Sequence, residues 1–356
     1  MLRAVFEHFR DIDSVCYIAM ADGRYSEVMR PYANRVLAPF FAHYVGFPAV
    51  QALAAVLLAV SAFWLLRRMK VPFVRALPFL LAPWLFGFVF NIYMADLLVM
   101  ALTMSFFAVF SACGPWLALP ILLPMMMARE SSAVIVVVWL GVLAWNLYKG
   151  RDRLRSAALV VGLGAVTAVA KTLVGIISAD SPGILTELGL AYLPAKAFVS
   201  LIFSVTGFRP WTDTYALKLS ELYVHAPLWK MTCPEILRLG NFTEIGIYDW
   251  RPWQPLATVR IMLFGFGALI PYAIFRRHAW KAWMAEVNRP WLVIAAVSGL
   301  IFWALTPFCS FSPHRYIGYA WPLLWFFVLP HAVAETRRRY WVLLAVHVLG
   351  CMVVGV

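Results

Sequence analysis

From position 45 to the carboxyl end, long apolar runs alternate with short charged ones. The runs lie near 45–66, 72–91, 95–112, 114–128, 131–148, 157–177, 257–275, 290–307, 317–333 and 340–356. As helices rising about 1.5 Å per residue, they suit a hydrocarbon layer of about 30 Å. Lipid offers no hydrogen bonds to a bare backbone, so helices are predicted throughout. The pattern therefore predicts an all-α, polytopic transmembrane helical bundle of about ten spans.

The charged connections orient that bundle. Arg67-Arg68-Met69-Lys70, Lys149-Gly150-Arg151-Asp152-Arg153, Arg276-Arg277 with Lys281, and Arg337-Arg338-Arg339 hold the densest positive charge. Short basic loops stay in the cytoplasm, and all four share one side if every run crosses once. The apolar run 193–207 then has to be re-entrant or interfacial, and its Pro194 and Lys196 make a full crossing unattractive. Four regions follow: an extracytoplasmic segment 1–44 with interfacial helices, a membrane module 45–192, the 193–256 segment with a large outer loop, and C-terminal membrane helices 257–356. In Met1 to Arg10, Leu2, Val5, Phe6 and Phe9 share one helical face, which suits a helix lying in the interface. An outer amino terminus implies that this segment translocates unaided or follows a first helix encoded upstream.

Composition sharpens the picture. With 63% apolar and 13% charged residues, a water-soluble core is excluded. A net charge of +13 would suggest nucleic acid in a soluble protein, but here the bases sit in short loops, so nucleic acid is not an expected partner. On this topology the inner side is strongly basic while the outer side is nearly balanced in sign. Balanced charge outside points to solvated polar chemistry or to folded ion pairs. The five cysteines show no CxxC spacing, which supports neither a zinc site nor a thioredoxin-like motif; a disulfide among the outer ones stays open. Residues 1–44 lack an uninterrupted apolar run, so no cleavable signal peptide is expected.

Candidate chemistry gathers on the outer side. Asp11-Ile12-Asp13 precedes Tyr17, Asp22-Gly23-Arg24 and Arg30-Pro31-Tyr32-Ala33-Asn34-Arg35. Two carboxylates so spaced can share a cation such as Mg or Mn, or supply one general base kept ionised by neighbouring arginines; a solvated acidic turn is the plainer alternative. Asp96 opens an apolar run, where an acid is costly unless paired. Arg129-Glu130 interrupts two runs, and either lines a site or caps a helix. His314-Arg315-Tyr316 precedes the ninth run; its guanidinium suits a lipid phosphate, or else the interfacial belt. Arg35 is a second phosphate candidate or a snorkelling anchor. Lys171 falls inside the sixth run, where an acidic partner or a phosphate is expected. The late loop carries Trp211, Asp213, His225, Trp229, Trp250 and Trp253, aromatic faces that stack on sugars or anchor at interfaces.

The opening loop resembles that of the GT-C superfamily of polyprenyl-phosphate-sugar-dependent membrane glycosyltransferases, in which a modified Asp-x-Asp or a single acid occupies the first extracytoplasmic loop. The similarity rests on Asp13, Tyr17, Gly23 and Pro31-Tyr32-Ala33-Asn34-Arg35-Val36-Leu37-Ala38-Pro39, with Arg129-Glu130 and Arg315-Tyr316 as two further short elements. This chain departs from the family in having no span before that loop. The resemblance implies an out-facing cavity formed by the first and a later loop. It makes Asp13, or Asp11, the acid that activates an acceptor or holds a divalent metal, and Arg315 a ligand of the departing lipid phosphate. Partners would be a polyprenyl-phosphate-linked sugar, a glycan, lipid or protein acceptor, and the bilayer of a bacterial inner membrane. The competing readings are a lipid or polysaccharide transporter or flippase, an undecaprenyl-linked glycan polymerase or ligase, and a noncatalytic membrane partner.

Overall fold

The computed structural model describes residues 12–28, 32–82, 85, 88–89, 93, 95–181, 192–210, 248–250, 253–276, 289–308 and 313–354. Within them the chain is a helical, multi-pass membrane protein. Five helices are long and apolar enough to cross a membrane: Phe47–Arg68 (α3), Asp96–Cys113 (α5), Glu130–Tyr148 (α7), Arg153–Ile177 (α8) and Pro290–Phe308 (α12). A sixth crossing is available if Gln254–Phe264 (α10) and Leu269–Phe275 (α11), bent by 77°, count as one span.

Proline accounts for much of the difference from ten unbroken runs. Among the described residues of the 72–91 run, Phe73–Leu80 forms a helix (α4) with Pro78 inside it, and positions 85, 88 and 89 are helical again. The 114–128 run forms the short apolar helix Pro115–Ala128 (α6). The 317–333 run is divided into Pro313–Tyr319 (α13), Trp321–Phe327 (α14) and Leu329–Ala334 (α15), the last two each opening with a proline. A ring nitrogen cannot donate to the preceding turn, so a helix restarts at such a residue. The closing helix, Arg337–Val354 (α16), begins with three arginines. Tyr192–Thr206 (α9) is one continuous helix packed against α10 and the end of α12, and Ser204 Oγ donates to the Pro307 carbonyl at 2.6 Å. One departure from an all-α chain is a short antiparallel ladder pairing Phe208–Pro210 (β1) with Tyr248–Trp250 (β2).

Helices α3 and α5 pack along their lengths. The rings of Phe47 and Tyr93 meet at 5.4 Å, and Ser61 Oγ lies 2.8 Å from Ser105 Oγ. The nearly constant sequence offset between these pairs makes the two segments parallel. Both therefore begin at one membrane face. Aromatic rings fill the centre, with Phe106 and Phe110 against Trp139 and Trp321 against Phe326. The outward faces keep apolar side chains such as Leu53, Val56 and Val60 on α3 and Val161 and Ile176 on α8. Such surface is stable in lipid and would be a liability in water.

At the far face the basic loops are tied together by one acid. Glu335 receives the Arg276 guanidinium and the Tyr272 hydroxyl, and Arg339 approaches it at 3.8 Å. Arg75 Nη2 donates to the Glu335 carbonyl at 3.1 Å. Two of the arginines that orient the chain, Arg276 and Arg339, thus also help to clamp this end. Among the described residues Cys113 and Cys351 are free thiols.

Candidate functional site

At the opposite face, where α3 and α5 begin, five charged side chains from four separate stretches meet. Asp96 is the first residue of α5, a position that suits an acid because the helix terminus is partially positive. Arg129 follows α6 in extended conformation, breaking the helix, and Glu130 opens the single 3-10 turn that leads into α7. Arg315 lies in α13 four residues before Tyr319, so the two share one helical face. Arg35 sits between the Tyr32–Asn34 turn and the helix Leu37–Val45 (α2). The helix Ile12–Ala21 (α1) packs on α2 and contributes Tyr17.

Asp96 is the hub. One of its oxygens, Oδ1, accepts from Arg129 Nη1 and from the Tyr319 hydroxyl. The other, Oδ2, lies 3.4 Å from Arg315 Nε. The Arg129 guanidinium also stands 5.7 Å from the centre of the Tyr319 ring. Beside this group, Arg35 clasps Glu130 with Nη2 at 2.6 Å from Oε1 and Nε at 3.0 Å from Oε2, while its Nη1 donates to Tyr17 at 3.2 Å. Arg35 is near enough for its charge to be felt by both Asp96 and Arg129.

Arg35, Asp96, Arg129 and Arg315 are all buried, whereas the Glu130 side chain is 46% exposed. Burying an ion costs several kcal/mol unless it is paired and hydrogen-bonded, which explains why these charges are interlocked. Both Asp96 oxygens already face donors, so this carboxylate is poorly placed to take a proton and well placed to fix guanidinium planes. These five residues carry three positive and two negative charges. Guanidinium forks of this kind are suited to phosphate oxygens. Below it a cleft lined by Val99, Thr103, Ser298, Tyr319 and Trp321 encloses about 10 Å³, room for roughly one water.

Of the residues singled out from sequence, the fold unites Arg35, Asp96, Arg129, Glu130 and Arg315. Tyr316 is half-buried beside them, its ring 6.4 Å from that of Tyr319. Lys171 is not in the assembly: it lies exposed on the outward face of α8. The expected burial of this charge inside the bundle is corrected accordingly. Asp11 lies outside the described residues, as do the side chains of Asp13 and His314; the Asp13 backbone belongs to α1, one turn ahead of Tyr17. Trp211, Asp213, His225 and Trp229 are likewise outside. Among the described residues no three His, Cys, Asp or Glu side chains are grouped to hold a metal ion. Sequence reasoning passed over Tyr17 and Tyr319 as partners of the arginines, because a hydroxyl carries no charge pattern to mark it.

Comparisons with protein-family models, curated proteins and solved structures found no match.

Proposed function

We propose that the chain is an inverting, GT-C-type glycosyltransferase that moves a sugar from a polyprenyl-phosphate donor to an acceptor hydroxyl at the outer face of a bacterial inner membrane. One observation carries this reading: Arg35, Arg129 and Arg315 are gathered around Asp96 at the face opposite the basic loops. A lipid phosphate is an anion delivered at that depth, and its hydrocarbon chain belongs among the apolar outer faces of the helices.

The acceptor oxygen would attack the anomeric carbon, forming the new glycosidic bond while the bond to the phosphate oxygen breaks. The leaving group departs with its electron pair as polyprenyl phosphate, and the acceptor proton passes to a carboxylate. In a low-dielectric pocket, guanidinium groups held beforehand stabilise the negative charge that grows on the phosphate, without reorganising during the step. Arg315 and Arg129 are assigned that task, with Arg35 supporting it. Asp96 is a positioning residue that holds the first two. The base is assigned to Asp13, with Asp11 as its alternative, on the strength of the resemblance and of the place of Asp13 one turn from Tyr17. A Mg or Mn ion held by these two acids would serve instead to orient the acceptor.

The test uses the protein in nanodiscs with a polyprenyl-phosphate hexose and a bacterial membrane extract as the source of acceptor, reading release of polyprenyl phosphate by mass spectrometry. Release is expected from the natural sequence. Asp13→Asn is expected to lower it at least a hundredfold while the thermal transition stays in place; Arg315→Gln is expected to lower it as far and also to lower the thermal transition, because it takes a buried partner from Asp96. Movement of the intact donor between leaflets with no release would instead establish a flippase and end this reading.

A further inference from the structure

Beside the arginine assembly, on the same two N-terminal helices, lies a groove that the reaction above leaves unused. It encloses about 420 Å³ and is lined by Ile18, Ala21, Asp22, Ala42, His43, Phe47 and Tyr93. Its walls are α1 and α2, the elements that carry Tyr17 and adjoin Arg35, so groove and anion site share a scaffold.

The chemistry of the lining is specific. His43 Nδ1 stands 2.7 Å from the Ala21 carbonyl oxygen. A carbonyl only accepts, so Nδ1 carries the proton in this contact, and the tautomer that matches it has its lone pair on Nε2. The bond also fixes the ring's orientation across the α1–α2 junction. At the rim Asp22 accepts from Arg24 Nη2 at 3.0 Å, and Arg24 Nη1 reaches Glu27 at 2.9 Å, an exposed network of donors and acceptors. Phe47 and Tyr93 meet edge to face at 5.4 Å and supply an aromatic floor. Hydrogen-bonding groups around an aromatic surface, in a groove of this size, match a ring that is polar at its edge and apolar on its face.

We infer that this groove is a binding subsite for a neutral saccharide, with the acceptor sugar of the reaction as its occupant and His43 Nε2 as the acceptor of one of its hydroxyl protons. This rests on the transferase reading, which supplies the role of acceptor, while the groove itself stands on the geometry. His43 is a specificity-determining residue here, and the proton removed in the reaction still goes to the carboxylate.

Two substitutions separate binding from bracing. His43→Asn keeps an amide donor near the Nδ1 position and removes Nε2; His43→Gln places an amide near Nε2 and gives up the brace. Saturation-transfer NMR on the protein in nanodiscs, with methyl glycosides of glucose, galactose and mannose as probes, reads occupancy. At least one pyranoside is expected to show transfer. His43→Asn is expected to weaken it about tenfold, or about 1.4 kcal/mol, with an unchanged thermal transition, and His43→Gln to lower the thermal transition while retaining more of the binding. Equal binding by the natural protein and His43→Asn, or no transfer to any of the three, overturns the proposal. If no glycoside binds but polyprenyl phosphate is still released, the groove is wrong and the transferase stands. If a glycoside binds in a His43-dependent way and nothing is released, the subsite stands and the transferase falls.

Discussion

Arg35 and Glu130, 95 residues apart in the chain, form a two-point contact in which Nη2 and Nε of one guanidinium meet the two oxygens of one carboxylate at 2.6 and 3.0 Å. The pair fastens the N-terminal helices to the turn between α6 and α7. It also places Arg129, the residue next to Glu130, against Asp96. Loop position and site geometry are therefore set by the same bond.

Asp96 and Glu130 are expected to differ in what they hold. Asp96→Asn removes the counter-charge of Arg129 and Arg315 from a buried setting, a loss that costs about 3 to 5 kcal/mol when a buried pair is broken. Glu130→Gln acts on a half-exposed carboxylate, where water takes up part of the loss. Thermal unfolding in detergent should show a clearly larger drop for Asp96→Asn, and equal drops would show that Asp96 is not the hub.

The bend between α10 and α11 makes a second prediction. Gly267 has φ of +56°, and a Cβ built there would lie 2.2 Å from Nδ1 of His347, which accepts the Ala268 amide at 3.3 Å. Gly267→Ala therefore meets both a left-handed backbone, costing about 1 to 2 kcal/mol, and a side chain in the way. Adding His347→Ala should restore part of the stability in a double-mutant cycle, since it clears the clash and leaves the backbone strain. Additive losses in the thermal midpoint would separate the two sites.

Sidedness is open to direct labelling. Asp22→Cys lies beside the groove and Arg151→Cys in a basic connection; both positions are exposed. In intact cells a membrane-impermeant maleimide should label the first and not the second, and should reach the second after permeabilisation. The reverse pattern would put the arginine assembly on the cytoplasmic side and exclude an outer-face reaction.

Much of this protein is legible without coordinates. A run of apolar residues must bury its backbone polar groups within itself, so Phe47–Arg68, Arg153–Ile177 and Pro290–Phe308 were readable as helices from local pattern alone. Arg67, Arg68 and Arg337 to Arg339 marked one face for the same local reason. Asp96, Arg129 and Arg315 stood out singly, because a charge beside hydrocarbon needs a partner.

Which partner each one takes is not a local property. That Asp96 receives Arg129, Arg315 and Tyr319, that Arg35 chooses Glu130, and that Lys171 lies on an outward face depend on how the helices rotate against one another and where proline interrupts them. Spacing along a chain prescribes periodicity within an element, whereas the pairing of charges dozens to hundreds of residues apart is set by packing, and packing exists only once the helices have met.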